Sequence, residues 1–504
     1  MVLKSLLAEV LIDFTLVSDN SGCDIKTITL NSRETSDSAL FTAIKGFQKD
    51  GHLYVMDAYK NGCRNFIIED SSLLNDEIKS NSSIALVKNS RIAIGKISRV
   101  LYNYPDKILN VTGVTGTKGK TTVTTLLYHI ISRKINASYF TTIRYKAGDM
   151  FGDSERTTME ADKLQYLLDK SVQSQEKTAI IEVSSHAVTL HRVEDVEWNG
   201  GIFTSFSRDH LDLYGTMEAY FEAKLDFFRA LNASPKNNKF AVINIDDPKG
   251  SDVVKIVNST VEVITVSTQV KNATYYIKKS TFTKTGMIIS FIHNTEEIML
   301  EFFNLQGHFN TVNSMLAVAA AHKSGLSFDE IKTALQDFPG VDGRFDVVVN
   351  NDPYTVIVDY AHTPDSLSGI LDECRKIAKN KVFIVFGCTG DRDTEKREIM
   401  GEIACNKADY SIITNDDTYT ENENQIVEMI VKGYHKSGAV EGKDFCIVLD
   451  RKKAIEEALR IAQEGDVVLL AGMGHEKIQI LGTVKHPHND RETVLQHIKN
   501  NIDQ

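Results

Sequence analysis

The stretch VTGVTGTKGKTTVTTLL, residues 111–127, constrains this chain more than any other. An apolar, β-rich run leads into it and a helically spaced run leads out. Between them stand Gly113, Gly116 and Gly119, followed by Lys120, Thr121 and Thr122. Glycines at such a turn let backbone N–H groups point toward anionic oxygens, and the start of the helix adds its dipole. The common G-x-x-x-x-G-K spacing would need a glycine where this chain has Val114. The stretch therefore reads as a phosphate cradle with an off-register loop. Gly116, Thr117, Lys118, Gly119, Lys120, Thr121 and Thr122 form the candidate ATP site. Lys120 would reach the β- and γ-phosphates and Thr121 could hold Mg2+.

The chain has 504 residues, more than one core supports, and length alone suggests about three domains. In residues 1–105, DGHLYVMDAYKNGCRNFIIED predicts a helix and then a strand. Pro105, one of 7 prolines, closes this part. In residues 106–342, ILNVTGV, KTAIIEVSS, GGIFTSF and NKFAVINIDD predict strands of a mostly parallel sheet. The β-rich ATYYIKKSTFTKTGMIISFI follows, and NTVNSMLAVAAAHKSG predicts a helix stopped by Gly325. In residues 343–504 the runs YTVIVDY, KVFIVFG, YSIITN and DVVLLAG each end in a polar cluster, where open α/β sheets bind ligands. The expected fold is α/β in three domains: a smaller N-terminal α/β domain, a central P-loop ATPase-like parallel sheet and a C-terminal Rossmann-like domain.

A net charge of −11 does not favour a nucleic-acid surface. The 6 cysteines show neither metal-ligand nor redox spacing and read as reduced thiols. Glu9 and Asp13 interrupt the apolar start, which does not read as a signal peptide, and no apolar run reaches membrane-spanning length. A cytoplasmic, monomeric enzyme is expected.

Further polar residues follow the expected strands. Glu182 is placed to hold Mg2+ opposite the phosphate loop, or is a solvated strand-end residue. Asp209 and His210 follow the next strand, although histidine is an unusual ligand for an ion that prefers oxygen. Beyond them Met217, Phe221, Leu225 and Phe228 make an apolar stripe, and Lys224 beside it reads as a surface lysine.

TGTKGKTT, EVSSHA, SRDHLD, YFEAK, GHFNTVN, GRFD, YAHTPDSL, GDRD and AGMGHE occur in this order between residues 112 and 476. Together they resemble the motifs of the Mur ligase family, ATP-dependent ligases of bacterial cell-wall precursor synthesis. NSRETSDSALFTAIKGFQKDGH extends the resemblance toward the start. With GDRD and GHE it points to the MurE type, which adds the third amino acid to UDP-N-acetylmuramoyl-L-alanyl-D-glutamate. The resemblance implies a catalytic set of Lys120, Lys224 and His210, with Lys224 carbamylated into a carboxylate-like ligand. It implies Mg2+ ligation by Thr121, Glu182, His210 and the carbamylated Lys224. It places Ser32, Thr157, Thr158, Ser184 and Arg192 on the UDP-sugar peptide, and Asn310, Arg344 and His362 on ATP. This chain departs from the pattern at Lys118 (usually Asn), Met159-Glu160 (Pro-Asp), Asn31 (Asp) and Met473 (Lys). None of these changes removes a group required for phosphate activation.

The implied amino-acid pocket comprises Arg392, Asp416, Asp417, Tyr419, Gly472 and Glu476. Family members that use meso-diaminopimelate carry Arg where this chain has Tyr419, so the pocket loses a bidentate carboxylate partner. Local charge then favours a diamino acid without a distal carboxylate, L-lysine or ornithine, with meso-diaminopimelate as the alternative. The implied chemistry is phosphorylation of a carboxylate by ATP with Mg2+, then attack of an amine on the acyl phosphate. A folylpolyglutamate synthase would share this chemistry without needing the N-terminal UDP-binding segment. A non-catalytic scaffold would not need Lys120, Glu182, His210 and Lys224 together. A P-loop motor or GTPase is at odds with the loop spacing.

Overall fold

A computed structural model describes the chain apart from residues 11, 47–48, 284, 351–352 and 503–504 and the side chains of residues 212 and 501–502. The chain packs as two compact units. The first is made of Met1–Phe206, Glu218–Val266 and Leu316–Leu326; the second of Ser207–Met217, Ser267–Met315 and Ser327–Gln504.

The first unit opens with a 5-stranded sheet in the order Phe14–Asp19, Ser83–Val87, Asn65–Ile68, Ala39–Thr42, Thr27–Thr29. It is parallel except at its Phe14–Asp19 edge. Alternating residues serve opposite faces. Phe41, Phe66 and Ile84 pack with Val55 and Ala58, while Leu40, Ile67 and Ala85 pack with Leu6, Ile94 and Ile97. Burial on both faces explains why NFII is apolar throughout.

In the same unit the strand Asn110–Thr115 lies between Thr178–Glu182 and Gly200–Phe203, parallel to both. Ala137–Phe140 continues the sheet on one side; Lys239–Asn244 and Val261–Ser267 continue it on the other. Arg144–Ala147 and Met150–Asp153 finish an edge as antiparallel strands. Parallel pairing brings the loops after Thr115, Phe140, Glu182 and Phe203 to one end of the sheet. The helix Met217–Ala233 buries Phe227 and Phe228 under that sheet. A Cβ on Gly113 would meet Phe227 at 2.6 Å and Trp198 at 2.9 Å, so only glycine lets the strand and the aromatic layer approach this closely.

The helix Ser90–Leu101 ties the first sheet to the second. It packs on the helix Ala161–Gln173, with Ala161 buried among Ile94 and Ile97 and with Tyr102 edge-on to Tyr166 at 5.6 Å. Arg99 pairs with Asp106 at 2.8 Å and also with Glu197.

The second unit holds an antiparallel meander, Tyr275–Phe282, Gly286–His293 and Glu296–Phe303. It also holds a 6-stranded sheet in the order Asp346–Val349, Thr355–Asp359, Val467–Ala471, Val382–Phe386, Tyr410–Ile413, Phe445–Ile447. Only Asp346–Val349 runs antiparallel to its neighbour. The four apolar runs read from residues 343–504 are strands of this sheet. The helix expected from NTVNSMLAVAAAHKSG spans His308–Lys323, and Gly325 follows it at φ 97°. No helix of the described residues is long and apolar enough to cross a membrane.

Candidate active site

The strand Asn110–Thr115 delivers the chain into the glycine loop, and Gly119, at φ 84°, caps the helix Lys120–Ser132. Gly116 adopts φ 149°, and a Cβ there would lie 1.9 Å from Thr204 Oγ1. The loop is thereby pressed against the segment that follows the strand Gly200–Phe203. The Lys120 ammonium donates to the carbonyls of Gly116 and Thr117 at 3.1 and 2.9 Å, folding over the loop whose phosphates it would meet. Lys118 is exposed, while Thr117, Thr121 and Thr122 are buried.

Glu182 is 1% exposed, which sets aside its reading as a solvated strand-end residue. Its carboxylate accepts the Thr121 hydroxyl at 3.1 and 3.0 Å, and the Thr142 hydroxyl and N–H at 3.0 and 2.9 Å. These donors are neutral, so a buried negative charge sits beside the phosphate loop with hydroxyls around it. That environment suits a hard cation, which takes one or two carboxylates and completes its shell with water and phosphate oxygens. Among the described residues no three His, Cys, Asp or Glu side chains gather as a metal cage.

The candidate peptide-binding residues adjoin Glu182. Thr142 Oγ1, its proton on Glu182, lies 3.2 Å from Thr157 Oγ1 and can accept that hydroxyl. Thr158 Oγ1 donates to the Glu182 carbonyl at 2.7 Å and accepts the Ser184 N–H at 3.0 Å. Arg192 donates to the Thr158 carbonyl at 3.2 Å and pairs with Glu160 at 2.9 Å. Ser32 is buried in the short 3-10 turn Ser32–Glu34, its carbonyl accepting Asn61 Nδ2 at 2.9 Å.

Lys224 corrects the sequence reading: it is no surface lysine but 1% exposed. Its ammonium donates to the Gly116 carbonyl and to Ser185 Oγ, each at 2.9 Å, and lies 4.4 Å from the Tyr220 ring centroid. Tyr220 OH in turn is 3.1 Å from Thr117 Oγ1. The lysine thus sits at the phosphate loop itself.

His210 belongs to the second unit, at φ 52°, with its Nε2 3.6 Å from Asp209. Asn310 is fully buried and donates to the Gln306 carbonyl at 2.7 Å. Arg344 stacks its guanidinium 4.7 Å from the Tyr360 ring centroid. Tyr360 OH donates to Glu476 at 3.2 Å, and His362 Nδ1 bonds the Tyr360 carbonyl at 2.7 Å. Burial, and then the Lys396 charge, hold His362 below its ordinary value. Asp416 and Asp417 are buried, and a Cβ on Gly472 would lie 2.8 Å from Asp416 Oδ2. Burial, with Asp416 and Asp417 next, pushes Glu476 up to about 7. Arg392 is exposed and stands 5.5 Å from the Tyr419 ring centroid. One end of the sheet therefore gathers Arg344, Tyr360, Glu476, Asp416, Asp417, Tyr419 and Arg392.

The descriptions "Mur ligase family, catalytic domain", "Mur ligase middle domain" and "Mur ligase, glutamate ligase domain" match residues 24–104, 114–321 and 343–474. A UDP-N-acetylmuramoyl-L-alanyl-D-glutamate–2,6-diaminopimelate ligase of Clostridioides difficile is 35% identical over 95% of this chain and 96% of its own. The ligase of the same name from Oceanobacillus iheyensis is 36% identical over 99% of each.

The chain belongs to the Mur ligase family.

A solved structure of a ligase with that name matches this Mur ligase at TM-score 0.65 and 29% identity over 95% of both chains. A folylpolyglutamate synthase of Mycobacterium tuberculosis shares the fold at TM-score 0.58 and 14% identity but covers 76% of this chain. This Mur ligase is an ATP-dependent, ADP-forming amide ligase of the MurE type that works with Mg2+, with the three-domain α/β fold expected from its sequence. The relatives' names favour diaminopimelate, the alternative of the sequence reading, over lysine. Sequence reasoning missed Thr142, Ser185 and Glu160. A lone Thr, Ser or Glu carries no spacing signal; each is recruited by contacts across 40, 39 and 32 residues.

Proposed function

We propose that this ligase joins 2,6-diaminopimelate to UDP-N-acetylmuramoyl-L-alanyl-D-glutamate, with ATP hydrolysed to ADP and phosphate. One observation carries the reading: Glu182 divides its buried carboxylate between Thr121 of the phosphate loop and Thr142, which leads on to Thr157. A single acidic group thereby links the nucleotide cradle to the residues assigned to the peptide.

In this reading Gly116 to Thr122, with Asn310, Arg344 and His362, hold ATP. Ser32, Thr157, Thr158, Ser184 and Arg192 hold the UDP-linked dipeptide. Thr121, Glu182, His210 and a carbamylated Lys224 hold Mg2+, which supplies charge neutralisation of the phosphates. The dipeptide's carboxylate oxygen attacks the γ-phosphorus, ADP leaves, and Lys120 offsets the charge on the transferring oxygens. The amine then attacks the acyl carbon and phosphate departs. Arg392 holds a carboxylate of the amino acid; Asp416, Asp417 and Glu476 receive its ammonium end, with Tyr419 and Gly472 shaping the pocket. The domains run 1–105 for UDP, 106–342 for ATP and 343–504 for the amino acid, in a cytoplasmic monomer without a nucleic-acid partner.

The support for diaminopimelate is the name shared by relatives at 35% and 36% identity over nearly the whole chain. ADP release with the UDP-linked dipeptide and a panel of diamino acids tests the reading, with Lys120→Ala as the inactive control. Release that needs neither the dipeptide nor an amino acid overturns it.

A further inference from the structure

Two loops of the second unit carry the residues assigned to the amino acid. One precedes the helix Glu395–Lys407 and holds Arg392; the other precedes the helix Glu423–Lys436 and holds Asp416, Asp417 and Tyr419. Each loop contains a strained residue: Asp391 lies at φ 53° and Tyr419 at φ 45°. A side chain in this left-handed region costs about 1–3 kcal/mol and persists only where its surroundings hold it.

What holds both is an ion pair between a buried arginine and a half-buried glutamate. Arg397, fully buried, forks its guanidinium onto both oxygens of Glu421, at 2.7 and 2.9 Å, and donates to the Thr389 carbonyl at 3.2 Å. Glu421 Oε1 also accepts the N–H of Asp391 at 2.6 Å. Asp391 accepts the Thr420 N–H at 3.1 Å and its hydroxyl at 2.7 Å. The Gly390 N–H donates to the Asp417 carbonyl at 2.7 Å, and a Cβ on Gly390 would lie 1.9 Å from the Thr418 oxygen. The Glu421, Thr420 and Gly390 links join one loop to the other, and the Thr389 contact ties Arg397 to the loop before its own helix. None of these links uses the Arg392 guanidinium, the Asp416 carboxylate or the Tyr419 ring; Asp416 Oδ1 instead accepts Thr389 Oγ1 at 3.4 Å and the Asp417 N–H at 2.6 Å, and Arg392 donates to the Asp391 carbonyl at 3.0 Å.

We propose that Arg397 and Glu421 are positioning residues that fix Arg392 against Tyr419 and so set the affinity for the incoming amino acid. A planar guanidinium is required, because both Glu421 oxygens are engaged at once and a lysine could meet only one. The inference rests on the functional reading given above.

Full-length wild type, Arg397→Lys and Glu421→Gln test it, the second variant changing a half-buried group that need not disturb folding. In both variants the KM for 2,6-diaminopimelate should rise about ten-fold, the value of one charged hydrogen bond. The KM values for ATP and the UDP-linked dipeptide should stay within about two-fold, the split that separates loss of one binding contact from general damage. Hydrogen exchange at the amides of Asp391 and Thr420 should quicken in Glu421→Gln. Unchanged exchange at those amides overturns the proposal whatever the activity, as does an unchanged amino-acid KM or a parallel rise in all three KM values. Wild type that stays inactive with every diamino acid would sink the functional reading instead, while the exchange result still judges the loop clamp.

Discussion

The Lys224 ammonium donates to the carbonyl oxygen of Gly116 at 2.9 Å. A residue of the helix Met217–Ala233, which also buries Phe221, Leu225, Phe227, Phe228 and Leu231, therefore reaches the phosphate loop. A fully buried ammonium is costly unless hydrogen-bonded, and two oxygens and the Tyr220 ring receive this one. Lys224→Ala should lower kcat by about 100-fold or more, the loss seen when one transition-state charge partner is removed. If the carbamate is the working form, short carboxylic acids should restore part of that rate and bicarbonate depletion should slow the wild type. Full activity in Lys224→Ala would contradict the assignment.

Glu182 should set the Mg2+ requirement. Glu182→Gln keeps the shape and both threonine hydroxyl contacts but removes the charge. The Mg2+ concentration for half-maximal rate should rise about ten-fold or more, the range for perturbed metal sites. A Mg2+ titration superimposable on that of wild type would contradict this.

Two glycines should behave oppositely. Gly116→Ala forces a Cβ to within 1.9 Å of Thr204 Oγ1 at φ 149°, and should weaken nucleotide binding or lower the melting temperature. Gly369 lies inside the helix Pro364–Ile377 with nothing within 4 Å of a new Cβ. Gly369→Ala should stabilise by about 0.5–1 kcal/mol, because alanine loses less backbone freedom in a helix. Thermal melts of both variants decide the matter.

Much of this was legible in the sequence, and the exceptions share a cause. Strands such as Asn110–Thr115 and Val382–Phe386 are read from local runs because parallel strands buried on both faces are continuously apolar. The glycine loop is read because its backbone demands are local. The burial of Lys224 was not legible: its partners lie 108 and 39 residues away, and a lysine beside an apolar stripe looks like a surface residue. The same holds for Thr142 and Arg397, whose importance comes from Glu182 and Glu421 across folded loops. At Tyr419 the local charge of the pocket favoured lysine, whereas the names of relatives over nearly the whole chain favour diaminopimelate, the stated alternative.

Glu476 should give the amino-acid step a pH dependence. Its carboxyl is pushed up to about 7, by burial first and by Asp416 and Asp417 next. The folded protein keeps a proton that the unfolded chain releases at lower pH. The group therefore subtracts stability as pH rises above its ordinary value, and fully so above about 7. A bound ammonium favours the ionised carboxylate, so the KM for the amino acid should fall as pH rises through about 7. Glu476→Gln should flatten that dependence; a wild-type KM that ignores pH there would contradict it.

The most direct test is the mass of the product. Purified protein given ATP, Mg2+, UDP-N-acetylmuramoyl-L-alanyl-D-glutamate and equal amounts of 2,6-diaminopimelate and L-lysine should yield the dipeptide lengthened by diaminopimelate, with one ADP per new amide. A product lengthened by lysine would contradict the amino-acid assignment, and ATP consumption without any lengthened product would contradict the ligase reading of the Glu182 site.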